Sequence, residues 1–152
     1  MTAQRIVQSP PQYYSSGFIT PQTATFDLAF GHGETILLAD GAASLLKLGV
    51  SLLARLNYQV LTAQSEEQVI QACSSGGRKI DLMILDAAIL RKSGEDLLNR
   101  VQPCQPGIKV LLYTTHDWQC DRGFWDKIGQ LPVISKPYRI RDFSKLIEIT
   151  LH

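Results

Sequence analysis

The sequence predicts an α/β fold, a doubly wound five-stranded parallel sheet of order 2-1-3-4-5 with helices on both faces. Three observations lead there. From residue 34 onward, short β-rich apolar runs alternate with stretches whose apolar residues recur at helical spacing. Strict β/α alternation implies parallel strands joined by right-handed crossovers. The run LMIL at 82–85 is apolar at every position, as befits a strand covered on both faces. That run and the first one, at 36–39, each end on an aspartate, Asp86 and Asp40. In open α/β sheets the carboxyl ends of the strands form the rim where ligands bind, at the switch point between strands one and three.

Taken in order, residues 36–39 make the first strand, and Leu45, Leu48, Leu52, Leu53 and Leu56 follow at helical spacing. Residues 58–63 make the second strand. Ser65 and Gln68 form an S-x-x-Q capping box that opens a helix carrying Val69, Ile70 and Cys73, and Gly76 and Gly77 stop it. Residues 80–85 are the third strand. Beyond Ser93 and Gly94 a helix begins with Glu95 and Asp96 in its first turn, where the helix dipole favours acids. Residues 108–114 give the fourth strand and 132–135 a short fifth. The last helix starts near Arg139, with Ile140, Phe143, Leu146, Ile147 and Leu151 expected to face inward. A weaker helical pattern lies within 116–130.

Residues 1–33 differ in character: three prolines, several Gln, Ser and Thr, and only Arg5 and Asp27 as full charges. That is linker composition, so this stretch is expected to be a poorly ordered tether ahead of a domain at 34–152, although its five aromatics suit docking on something. The chain of 152 residues has a net charge of +1, far from the basic excess of a nucleic-acid binder, so no nucleic-acid contact is expected. No run approaches the roughly 18 apolar residues of a membrane span, and the first residues lack the apolar core of a signal peptide. A cytoplasmic protein without membrane contact is the expectation. Three cysteines, Cys73, Cys104 and Cys120, with no C-x-x-C pair indicate neither a disulfide framework nor a zinc site.

Asp40 and Asp86 would converge at the switch point, and two carboxylates there repel unless a cation or protons intervene. Lys136, in Ser135-Lys136-Pro137, ends the fifth strand, and Thr114 and Thr115 end the fourth. Singly, each has an ordinary reading: Asp86 could cap the next helix, and Lys136 or Thr114 could be plain surface residues. Jointly, four strand ends carry acid, acid, hydroxyl and amine in order.

At this point the chain resembles the receiver domain of two-component response regulators, over residues 34–151. The resemblance rests on ILLAD, on DLMILD with Gly94 beyond its final Asp, on VLLYTT, and on ISKPY before an amphipathic helix. The opening GHGETILLADG is similar to receivers of hybrid sensor histidine kinases. The resemblance implies a flavodoxin-like fold and a switch module, not an enzyme beyond self-catalysed phosphoryl transfer and dephosphorylation. It implies Asp86 as phosphoacceptor, Lys136 as counterion of the phosphoryl group, Thr114 as the hydroxyl that swings toward it, and a cis bond before Pro137. It further implies Mg²⁺ held by Asp40, Asp86 and the backbone carbonyl of Ala88. A histidine kinase or histidine phosphotransfer domain is the implied partner, and a homodimer is compatible. Small side chains at Ala87 and Ala88 would leave the approach to Asp86 open.

Three positions depart from the family pattern. Gly41 stands where a second acid usually follows Asp40, so weakened Mg²⁺ binding is expected. Leu90 replaces the usual proline after the acceptor, and Val133 the aromatic before the lysine. These departures support an alternative, a degenerate receiver that binds partners without phosphorylation. A flavodoxin-like cofactor binder or small enzyme is the third class. It would need a phosphate-cradling glycine loop after strand one, and Gly31 and Gly33 precede that strand instead.

Overall fold

Parallel pairing runs through one sheet. The structure, a computed structural model, describes residues 5–6, 28–93, 96–114, 123 and 131–152. Its elements are β1 (Arg5–Ile6), β2 (Thr35–Ala39), α1 (Ala43–Arg55), β3 (Gln59–Ala63), α2 (Glu66–Ser74), β4 (Leu82–Asp86), α3 (Ala87–Ser93), α4 (Asp96–Cys104), β5 (Lys109–Thr114), β6 (Val133–Ser135) and α5 (Ile140–Leu151). The sheet order is β1-β6-β5-β4-β2-β3. Its five main strands therefore have the 2-1-3-4-5 order expected from the sequence. The two-residue β1 adds itself in parallel to the β6 edge, Arg5 beside Val133 and Ile6 beside Ile134.

Register aligns the strand ends. Ala39 pairs with Leu85, Asp86 with Tyr113, and Thr114 with Ser135. Residues one step past β2 and β6, Asp40 and Lys136, thus reach the same rim as Asp86 and Thr114.

The side-chain period of two splits the strands between two cores. Leu37, Met83, Leu85 and Leu112 face the side covered by α2, α3 and α4, against Val69, Leu90, Leu97 and Val101. Ile36, Leu38, Leu82, Ile84, Leu111 and Tyr113 face the side covered by α1 and α5, against Leu53, Phe143, Leu146 and Ile147. Every residue of β2 is buried, as are Leu82, Met83, Ile84 and Leu85. Each such aliphatic side chain contributes about 1.5–3 kcal/mol of transfer free energy, so the central strands anchor both cores.

Several local expectations need correction. A seven-residue helix, α3, follows β4 directly, where the sequence suggested a connection up to Ser93. Leu90 accounts for it: a proline here would lack the amide that the first helical turn requires and would clash with the preceding turn, whereas leucine supplies the amide and buries fully. Ile140, expected to face inward, is 41% exposed at the start of α5, and Leu45 and Leu48 of α1 are also exposed while Leu46, Gly49 and Leu53 take the buried stripe. Of the stretch read as a tether, residues 28–33 are packed on the domain: the Ala29 amide donates to Ser144 Oγ at 3.1 Å and the Gly31 amide to the Leu56 carbonyl at 2.8 Å. The helical pattern within 116–130, Thr115 and Cys120 lie outside the described residues apart from Gly123.

The Ser65 half of the capping box forms as read, while its reciprocal half is shifted by one residue. Ser65 Oγ accepts from the Gln68 amide at 3.2 Å, and Gln68 Oε1 accepts from the Gln64 amide at 2.7 Å, one residue ahead of the cap. Ser65→Ala is expected to lower unfolding stability by about 1 kcal/mol, read as a lower urea midpoint at unchanged slope. An unchanged midpoint would mean that water serves the freed amides equally well.

Candidate functional site

Asp86 is the last residue of β4 and uses its two oxygens differently. Oδ1 accepts from the Ala88 amide at 3.1 Å and so caps α3. Oδ2 lies 3.7 Å from Lys136 Nζ. The capping reading and the rim reading of this residue therefore hold together. The carboxyl is held above the ordinary aspartate range, first by burial and also by the negative charge of Asp40; the Ala88 amide and the Lys136 ammonium pull the other way.

Asp40 is deeper, with 3% side-chain exposure, and its oxygens are engaged. Oδ1 accepts from the Ala42 amide at 2.9 Å. Oδ2 accepts from the Tyr113 hydroxyl at 2.7 Å and from Lys136 Nζ at 3.3 Å. Lys136 follows β6 and its peptide bond to Pro137 is cis. Its amide donates to the Thr114 carbonyl at 2.6 Å, which ties the ends of β5 and β6 together. One ammonium thus spans both carboxylates and lies 4.3 Å from the centre of the Tyr113 ring. Thr114 is buried at the end of β5.

Tyr113 is the residue that sequence reasoning passed over. Its ring is buried on the α1/α5 side of β5, and burial, followed by the bond to Asp40, drives its phenol well above the usual range. The available signal was parity: two residues beyond Leu111 it shares the inward face, and a phenol buried at a strand end needs an acceptor.

A cleft of about 520 Å³ opens over the acids, lined by Asp40, Gly41, Asp86, Ala88, Lys136 and, from the other wall, Glu67. Ala87 is buried and Ala88 exposed, so the small residues beside Asp86 leave its outer side unobstructed. Across the top of α1, a second, apolar groove is lined by Leu45, Leu48, Leu52, Tyr113, Pro137 and Tyr138.

An acid pair and a lysine thus converge at the switch point of a doubly wound sheet, the place where this class of fold binds ligands. The family model for the response regulator receiver domain matches residues 36–148, and the chain belongs to that family. It is 30% identical over 102 residues to the transcriptional regulatory protein GlrR of Escherichia coli K12, covering 67% of this chain and 22% of that protein. Against the alkaline phosphatase synthesis regulator PhoP of Bacillus subtilis the identity is 23% over 118 residues, 78% of this chain and 48% of that protein. The chain thus spans less than half the length of these curated relatives. A response regulator receiver domain from Clostridium thermocellum superposes with a TM-score of 0.65 at 25% identity, covering 78% of this chain and 94% of that one.

Receiver domains are the switches of two-component signalling: they interact with histidine kinases or phosphotransfer proteins and bind Mg²⁺ at the phosphorylation site. The donor chemistry here is compatible with that ion, since Asp40, Asp86 and the Ala88 carbonyl are hard oxygens with lone pairs to spare. Gly41, next to Asp40, adds no second acid to the position. Among the described residues no three His, Cys, Asp or Glu side chains gather closely enough to hold a metal ion by themselves. No helix of the described residues is long and apolar enough to cross a membrane.

Burial that raises the Asp86 carboxyl means that the folded state holds a proton more tightly than the unfolded chain. Stability from this group is therefore complete below the unfolded value of about 3.9 and is lost as pH rises through the higher folded value. Asp86→Asn should be more stable than the wild type at neutral pH, with the gap closing toward pH 4 and below. Thermal unfolding across that range tests it, and a variant less stable at pH 7 would contradict it.

Proposed function

We propose that this chain is a phosphoacceptor receiver that takes a phosphoryl group on Asp86 from a histidine kinase or histidine phosphotransfer domain and signals through protein contacts. The observation that carries the reading is the approach of Lys136 Nζ to Asp86 Oδ2 at 3.7 Å while Asp40 holds the same amine at 3.3 Å. A carboxylate is a weak nucleophile, so transfer depends on in-line positioning and on neutralising the phosphoryl oxygens. Asp86 Oδ2 attacks phosphorus as the bond from phosphorus to the donor's imidazole nitrogen breaks, giving an acyl phosphate and a free histidine. The Ala88 amide holds Oδ1 during attack, and Lys136 moves from carboxylate to phosphoryl oxygen. Mg²⁺, held by Asp40, Asp86 and the Ala88 carbonyl, would neutralise further charge on the transferring group. Thr114, beside the acceptor at the end of β5, supplies the hydroxyl that moves toward the phosphoryl group and relays its presence.

The opening GHGETILLADG suits a module placed behind the kinase core of a hybrid sensor, and a homodimer is compatible with the exposed faces. Cytoplasmic placement follows from a soluble receiver supplied by an ATP-using kinase. A second reading, a receiver that binds partners without phosphorylation, is favoured by one observation: Tyr113 and Lys136 already neutralise Asp40, and Gly41 leaves the acid pair incomplete.

Incubation with labelled acetyl phosphate separates the two readings. Label should appear on the wild type as an alkali-labile acyl phosphate and vanish in Asp86→Asn. No label on a folded wild type would favour the second reading, and label persisting in the variant would move the acceptor elsewhere. Gly41 has room for a side chain, since an added Cβ meets only the Gln64 carbonyl at 3.9 Å. Gly41→Asp should tighten Mg²⁺ binding by on the order of tenfold, measured by calorimetry; unchanged affinity would place the ion away from Asp40.

A further inference from the structure

We propose that Tyr113 governs the access of divalent cations to Asp40, its hydroxyl competing with the metal for Oδ2. The inference rests on the metal part of the reading above and not on phosphoryl transfer. A hydroxyl proton and a cation seek the same lone pairs. On Oδ2 those lone pairs are directed at the Tyr113 hydroxyl at 2.7 Å and the Lys136 amine at 3.3 Å, and Oδ1 already takes the Ala42 amide at 2.9 Å. Lysine can withdraw, because its stem is long and its amine has Asp86 as a second partner at 3.7 Å.

Tyrosine cannot withdraw as easily. Its backbone is fixed in the middle of the sheet, paired with Asp86 on one side and Ile134 on the other, and its ring is 3% exposed beneath the Lys136 amine. Inner-sphere metal binding at Oδ2 therefore strips the phenol of its acceptor in a buried setting, which leaves a buried donor unsatisfied. With glycine at position 41, no second acid follows Asp40 in the chain to take its place at the metal. Tyr113 is thus a residue that sets metal affinity, and the hydroxyl balances the Asp40 charge whenever the metal is absent.

The test titrates MgCl₂ calorimetrically into the full chain and into Tyr113→Phe, which removes only the hydroxyl. The variant is expected to bind roughly tenfold more tightly, in line with a lost hydrogen bond to a charged group, and the gain should disappear when Asp40→Asn is added. The wild type carrying ¹³Cζ-tyrosine provides a second readout that does not depend on the folding of the variant: the Tyr113 resonance should move when Mg²⁺ saturates. Equal affinities for wild type and variant, a gain that survives Asp40→Asn, no Mg²⁺ binding by either protein, or a stationary Tyr113 resonance would each overturn the proposal. None of these readouts involves phosphorylation, so failure of Asp86 as acceptor would appear separately, in the labelling experiment.

Discussion

One ammonium facing two carboxylates, Asp40 buried and Asp86 half-buried, is the constraint around which the rim of this sheet is arranged. Two acids at neighbouring strand ends, mostly withdrawn from water, are untenable without a positive partner. Lys136 meets that need from the far side of β5, and it can do so because parallel register brings β2, β4, β5 and β6 to end on one line. Such a pair adds little net stability relative to an apolar substitute, since desolvation offsets much of the attraction, but removing one partner is strongly destabilising, by about 3–5 kcal/mol. The arrangement is therefore better understood as a device for poise. It holds a positive charge against Asp86, which under the proposed function would meet an incoming phosphoryl group.

Much of the fold was legible because it depends on patterns that tertiary context rarely overrides. The wholly apolar run at 82–85, the alternation of β and α segments and the S-x-x-Q cap each have one economical structural solution, and the strand order followed. Boundaries shifted by one or two residues where strands begin, as at Leu82 and Lys109, because an apolar residue ahead of a strand, such as the buried Ile80, reads the same whether or not it is paired. What stayed hidden depended on atoms meeting across the sheet. The Tyr113 hydroxyl reaches Asp40 across more than seventy positions of sequence, and nothing local to VLLYTT announces that acceptor. Likewise α3 could not be read from a short segment with alanines and no strong stripe, although Leu90 in place of proline was the clue. Ile140 was assigned inward from periodicity alone, and it is exposed at the first residue of the helix.

Among the site residues, Asp40, Asp86, Thr114, Lys136 and the Ala88 backbone all lie at the same rim, so their proximity was predictable from strand ends alone. The absence of a second acid at Gly41 was equally legible. The hydrogen bond from the Tyr113 hydroxyl to Asp40 was not; it leaves the net charge of two acids and one lysine unchanged but occupies an oxygen that a divalent ion would otherwise use.

The central claim, that Lys136 and Asp40 are energetically coupled and hold the rim together, is most directly tested by a double-mutant cycle with Asp40→Asn and Lys136→Met, read by chemical unfolding at pH 7. The account predicts a coupling free energy above about 1 kcal/mol, in the range of buried interacting pairs. Additivity of the two substitutions to within about 0.3–0.5 kcal/mol would contradict it, and would make Lys136 a residue that merely lies near the acids.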